Sequence, residues 1–242
     1  MTAPDSAPSA AAPPKALRYF ARFQLMRLLG KSQRTMAWLV MDPRAGQELV
    51  LVLPRTQAAD EDTLDRWRAI ARRAARINHP GLAQPVEVGD HERWPFLAYE
   101  RGDASQLSER LTAQGLPAAD LARWSVQVLE GLAFAHEAGS SHDDLQPWSV
   151  AIGENGQAQL MGLAATLPEP APVGSSHLDP VSLQRQRRAA ERDVLAYGLV
   201  LHHAIAGHAA LDEPDTGKAM ALMPPLGREI VRLPWALARP VA

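Results

Sequence analysis

The chain has 242 residues, 46% of them hydrophobic and 21% charged, with a formal net charge of −2 and no cysteine. That composition supports one sizeable core, or two lobes sharing an interface, and excludes a disordered chain. It also excludes disulfides, thiolate metal sites and a thiol nucleophile, and it gives no electrostatic drive toward nucleic acid or an anionic membrane surface. No apolar run approaches the length of about 20 residues that crosses a bilayer, and the first residues lack a basic stretch followed by an apolar one, so the expectation is a cytoplasmic protein without membrane insertion.

Residues 1–19 are expected to form a flexible tail, because Met1 to Lys15 is rich in Ala, Pro and Ser and shows no apolar period. From Phe20 the pattern changes to short β-favouring runs, Phe23 to Leu29, Met36 to Met41 and Glu48 to Leu53, with Asp42-Pro43-Arg44-Ala45-Gly46 supplying the connection between the last two. These runs predict an antiparallel meander. Thr63 to Ile77 predicts a helix, with Leu64, Trp67, Ile70, Ala71, Ala74 and Ile77 on one face and arginines, including Arg72, Arg73 and Arg76, on the other. His79-Pro80-Gly81 ends it, and two further strand-like runs follow at Leu82 to Val88 and Trp94 to Tyr99. After Gly102 the pattern is mostly helical: Leu116 to Glu137 places Leu121, Trp124, Val128, Leu129, Leu132 and Ala135 on one stripe, and Val194 to Ala206 is almost wholly apolar. Five strands with one helix followed by a helical half predict an α+β chain of two lobes, residues 20–102 and 103–242.

The order of these elements, together with several short motifs, resembles the bacterial serine/threonine protein kinases over roughly Arg22 to Leu211. Leu28-Leu29-Gly30 looks like the start of the glycine-rich loop, and Gly46-Gln47-Glu48 like the turn into the third strand. Ile77-Asn78-His79-Pro80 resembles the end of the αC helix, and Pro95-Phe96-Leu97 leads to a hinge near Glu100 to Gly102. Val128 to Leu132 with Ala135 to Gly139 is similar to αE, His142-Asp143-Asp144-Leu145-Gln146-Pro147 to a modified catalytic loop, and Asp193-Val194 with Tyr197-Gly198 to the start of αF. The resemblance implies a small antiparallel β lobe carrying αC and a mostly helical, shortened C-terminal lobe. It places the ATP-site positions at Gly30, Lys31, Val52, Ile70, Tyr99, Arg101, Ser149 and Gly162. It also implies structural roles for His142 beneath the loop and for Asp193, whose counterpart holds the catalytic-loop backbone.

The same resemblance argues against phosphoryl transfer, which depends on positioning and charge stabilisation. Gly30 is followed by Lys31, Ser32, Gln33, Arg34 and Thr35, so only the first glycine of the loop is kept. The phosphate-binding lysine of the third strand falls at Val52 and its αC glutamate at Ile70, which are expected to face each other as a packed apolar pair. The magnesium-holding asparagine and aspartate fall at Ser149 and Gly162, the arginine before the loop aspartate at Asp143, and the lysine after it at Gln146. Asp144 alone stands where a catalytic base would stand, and is read first as a loop-ordering aspartate. No metal site is expected: His142 lacks further ligands at suitable spacing, and His202, His203 and His208 do not converge.

Two readings follow. The first is a catalytically inactive domain of this family, a pseudokinase, with no cofactor and with a protein partner such as an active kinase or signalling enzyme. The alternative is a weak or atypical kinase or ATP-binding protein using Lys31 and Asp144, the chain's other lysines being Lys15 and Lys218. Val181 stands at the glutamate of the alanine-proline-glutamate motif, read at Leu178 to Val181, and the chain ends at Ala242 soon after Trp235. That predicts either a C-terminal lobe closed differently from the family's, or an apolar face near Ile230 to Leu237 covered by another molecule or by sequence absent from this chain.

Overall fold

A computed structural model describes residues 18–169 and 180–223. The small lobe is a six-stranded antiparallel sheet in the order β1-β2-β3-β4-β6-β5, built from β1 (Arg18–Phe20), β2 (Phe23–Lys31), β3 (Thr35–Asp42), β4 (Gln47–Pro54), β5 (Glu87–His91) and β6 (Trp94–Glu100). The expected meander is present. The β3–β4 turn is closed by Gly46 N donating to Asp42 O at 2.8 Å and Arg44 N donating to the Asp42 carboxylate at 2.9 Å, with Gly46 at a φ of 66°. The strand alternation sends Val40, Leu49, Leu51, Phe96 and Ala98 to one face and Ala37, Leu39, Val50, Val52, Leu97 and Tyr99 to the other, which faces the rest of the molecule.

Helix α1 (Glu61–Ala74) covers that inner face. Its N-cap is Asp60, whose side chain accepts from Thr63 N at 2.8 Å, with Glu61 and Asp62 in the first turn and Arg72 and Arg73 in the last, as the helix dipole favours. The apolar stripe Leu64, Trp67, Ala71 and Ala74 is buried.

The large lobe holds the short helix α2 (Leu107–Arg110), the long α3 (Ala118–Glu137), α4 (Pro180–Ala206) and α5 (Thr216–Leu222). A second, three-stranded sheet joins β7 (Ser105–Gln106), β8 (Val150–Ile152) and β9 (Ala158–Leu160). Its core runs between α3, through Leu121, Trp124, Val128, Leu132 and Ala135, and α4, through Ala196, Tyr197, Val200 and Ala204. The Tyr197 hydroxyl donates to Ser125 Oγ at 2.9 Å across that contact.

The structure corrects four expectations. The run Leu82 to Val88 is not one strand: Leu82 makes a single parallel bridge to Leu160, Pro85 offers no N–H to a ladder, and the chain joins the six-stranded sheet from Val86 N, which donates to Ala98 O at 2.8 Å, into β5. Arg18–Phe20 is a strand, so the expected tail of residues 1–19 overlaps the sheet, and residues 1–17 lie outside the described part. The helix beginning at Val194 starts at Pro180, which puts Asp193 well inside it on the buried stripe. The second sheet was not expected at all. Leu178, Asp179 and Ile230 to Leu237 lie outside the described residues.

Candidate functional site between the lobes

The loop between α3 and β8, residues 138–149, carries the residues expected to matter, and α4 fixes its backbone. Asp193 is 1% exposed, and its carboxylate accepts from His142 N at 2.7 Å, from Asp143 N at 2.8 Å and from His136 Nε2 at 2.9 Å. Those bonds hold Asp143 at a φ of 64°, a left-handed conformation that Asp tolerates better than most residues. The buried His142 ring donates from Nε2 to Met161 O at 2.7 Å, tying the loop to the segment after β9.

Asp144 is buried at 5% exposure, and two of its three side-chain partners come from the other lobe. Its Oδ2 accepts from the hydroxyls of Ser32 and Thr35, the latter at 2.6 Å, and its Oδ1 accepts from Gln146 Nε2 at 2.9 Å. Ser32 and Thr35 bracket the β2–β3 turn. Two further bonds press that turn onto the large lobe, Gln33 N donating to Asp215 Oδ2 at 2.8 Å and Arg34 Nη1 donating to Asp143 O at 3.0 Å, while Arg55 Nη1 donates to Ser32 O at 2.8 Å within the small lobe. Asp215 is also the N-cap of α5, accepting from Gly217 N, and Gln146 bridges the two carboxylates by donating to Asp215 Oδ1 at 3.1 Å. Thr216 completes the group by donating its hydroxyl to Leu145 O at 2.7 Å.

Asp144, read from the sequence as a loop-ordering aspartate, therefore does more than order its own loop. It is a buried acceptor joining the lobes. Beside this network lies a cleft of about 220 Å³, lined by Arg34, Asp143, Leu145, Arg192, Ala196 and Met220 among others. Arg192 pairs with Asp143 at 3.3 Å at its rim.

The other side of the junction is apolar. Trp148 sits in the 3₁₀ turn Pro147–Ser149, is 4% exposed, and packs in one cluster with Leu29, Ala37, Val50, Val52 and Tyr99 of the small lobe and Ala151, Met161 and Ala165 of the large lobe. Its ring lies directly on Gly30, where an added Cβ would stand 1.9 Å from Trp148 Cδ1. Ser149 is fully buried and serves the turn, its hydroxyl donating to Gln146 O at 2.7 Å and accepting from Gln146 N at 3.0 Å. Gly162 takes a φ of 87°, and its N–H donates to the Tyr99 hydroxyl at 3.0 Å; burial pushes that phenol well above its usual pKa and keeps it protonated.

Val52 and Ile70, expected to face each other, belong to different clusters. Val52 is in the Trp148 cluster, whereas Ile70 is half-buried against the large-lobe core. The α1 residues beside Val52 are Leu64, Trp67 and Ala71, and Trp67 Nε1 donates to Ala164 O at 3.0 Å, so α1 is pinned to the segment after Gly162 by an indole. Lys31 is exposed at the end of β2, and Arg101 lies near Glu48 and Glu109 at 3.7 and 3.6 Å. The residues that sequence reasoning missed are Trp148, Trp67, Thr35, Asp215 and Thr216.

The positions that the resemblance assigns to a magnesium nucleotide carry other groups here. The indole occupies the space against Gly30, Val52 offers no cation, and Ser149 and Gly162 offer no carboxylate. Asp144 and Asp215 stand as a pair joined through Gln146, and among the described residues no group of three or more His, Asp or Glu could hold a metal ion. His202 and His208 meet edge to face at 5.7 Å, and burial followed by these two neighbours pushes the pKa of His203 down. No helix among the described residues is long and apolar enough to cross a membrane.

No protein-family model matches the chain. It is 30% identical over 179 residues to serine/threonine-protein kinase PknL of Mycobacterium tuberculosis, covering 69% of this chain and 45% of that protein. It is 27% identical over 206 residues to serine/threonine-protein kinase PknA of the same species, covering 77% of this chain and 47% of that protein. To a "probable serine/threonine-protein kinase" of Bifidobacterium longum it is 26% identical over 208 residues, 80% of this chain and 28% of the relative. The chain thus spans less than half the length of each of these relatives.

Proposed function

We propose, from the premise that this chain is a protein-kinase-like domain of the bacterial serine/threonine type, that it transfers no phosphate and works as a protein-binding regulatory module of signalling. The observation that carries this reading is the state of Asp144. A catalytic base must reach a substrate hydroxyl, yet both oxygens of this carboxylate take hydrogen bonds from Ser32, Thr35 and Gln146 of the same chain. The filled space at Gly30 and the absence of ligands at Ser149 and Gly162 support it further. The partner expected is a protein, with an active kinase or signalling enzyme as first candidate, and the compartment is the cytoplasm. Incubation of the purified chain with labelled ATP and Mg²⁺, alone and with generic protein substrates, should give no incorporation. Label that appears in the native chain and disappears in Asp144→Asn would overturn the reading and restore Asp144 as a base.

A further inference from the structure

We infer that the Trp148 indole is a tethered ligand, filling the space between the lobes from within the chain so that they stay closed without nucleotide. This rests on the non-catalytic reading above and adds how the closed state is held. The indole leaves the large lobe on the 3₁₀ turn after the loop, lies on Gly30 of β2, and shares one buried cluster with Ala37 and Leu39 of β3 and Val50 and Val52 of β4. Gly30 lies where the resemblance places the first glycine of a phosphate-binding loop. Here the missing side chain has another use: it lets the backbone of β2 approach the face of Trp148 at a distance that no Cβ could share.

The closure has a second edge. The bonds from Ser32 and Thr35 to Asp144, and from Gln33 N to Asp215, hold the β2–β3 turn on the large lobe at the polar side of the same junction. An aromatic ring buried on both faces, beside a satisfied polar network, fixes one relative placement of two lobes, because packing is dense and hydrogen bonds are directional. A ligand can shift a conformational equilibrium only through differential affinity for its states. With the ligand part of the chain, the closed surface is presented at all nucleotide concentrations, and a partner that reads it is not switched by ATP.

The test is a double-mutant cycle read by thermal unfolding. Gly30→Ala alone should lower Tm clearly, because its Cβ meets the ring, and should cost far less in Trp148→Ala, where the ring is gone. Trp148→Ala alone should lower Tm by on the order of 10 °C, as expected for removing a buried aromatic from a domain of this size. Indole should raise the Tm of Trp148→Ala and leave that of the native chain unchanged, since a ligand that binds only the folded state stabilises it. If Trp148→Ala does not fold, Trp148→Leu carries the same cycle. Additive effects of the two substitutions would overturn the inference, as would a native Tm raised by ATP or ADP. Label incorporation sinks the non-catalytic reading and the tethered ligand with it; additivity without incorporation sinks the tethered ligand alone.

Discussion

On one side of the junction between the lobes, the space around Gly30 and Val52 is occupied by Trp148, Leu29 and Met161; on the other, Asp144, Gln146 and Asp215 are hydrogen-bonded by Ser32, Thr35, Gln33 and Thr216. Both sides join the lobes, but by forces of different kind. Burial of the indole is non-directional and scales with area, so a change of shape there is felt as a cavity or an overlap. The polar side depends on direction and completeness, because one missing partner leaves a buried group with its desolvation unrelieved. The comparison teaches that the apolar side should reject charge, whereas the polar side should reject the loss of any acceptor that has no substitute.

Restoring the lysine of the family at the third strand puts the first of these statements at risk, with the largest expected effect. Val52 is 1% exposed, in one buried apolar cluster with Leu29, Ala37, Leu97 and Trp148. Val52→Lys should therefore cost about 3–5 kcal/mol, the range associated with an uncompensated buried charge, or drive the amine neutral at a similar cost. Urea unfolding at neutral pH measures it. A loss under about 1 kcal/mol would mean that the side chain finds a partner or water, and that the apolar side is looser than its packing indicates.

The innermost polar group comes next. Asp193→Ala removes the acceptor of two backbone N–H groups, on His142 and Asp143, and of the His136 ring. A backbone donor in a fixed loop cannot turn to another acceptor, so the expected cost is about 3 kcal/mol, from two orphaned donors at about 1–3 kcal/mol each with partial relief by water. Asp193→Asn keeps one carbonyl acceptor and should fall between the native chain and Asp193→Ala. Equal losses in the two variants would show that charge, not hydrogen-bond geometry, holds the loop.

The sequence made some of this legible and hid the rest for physical reasons. β2, β3 and β4 follow from β-favouring runs bounded by turn signals, and α1 and α3 from stripes sustained over three turns or more. β7, β8 and β9 have two or three residues each, too few to carry a period. The first half of α4 reads as loop because Gln184 to Arg188 is polar throughout. The position of Asp193 belonged to a motif and was legible, but its third partner, His136, was not. Trp148, Ser32, Thr35 and Asp215 meet only across the fold, the Ser32 to Asp144 bond spanning 112 positions, and nothing in local pattern points from one to the other. The one available signal for Trp148 was a large aromatic directly after Pro147, inside a loop otherwise built of small and polar residues.

Asp144 tests the polar side at its most replaceable point, and there the smallest effect is expected. Of its three donors, two have somewhere else to go. Ser32 Oγ lies 3.4 Å from Thr35 O and can turn toward it, and Gln146 Nε2 already reaches Asp215 Oδ1 at 3.1 Å. Only the Thr35 hydroxyl, 1% exposed, loses its acceptor outright. Asp144→Ala should therefore cost about 1–2 kcal/mol, less than Asp193→Ala and more than an ordinary surface substitution, which stays within about 0.5 kcal/mol. Thr35→Val alone should destabilise by leaving Asp144 short of a donor, but Thr35→Val in the Asp144→Ala chain should cost less, because no carboxylate remains to be deprived. A coupling of at least about 0.5 kcal/mol in this cycle is the signature of a bond between the lobes. Additivity within about 0.3 kcal/mol would mean that the β2–β3 turn does not rest on Asp144 in solution, leaving the indole as the chief contact that closes the junction.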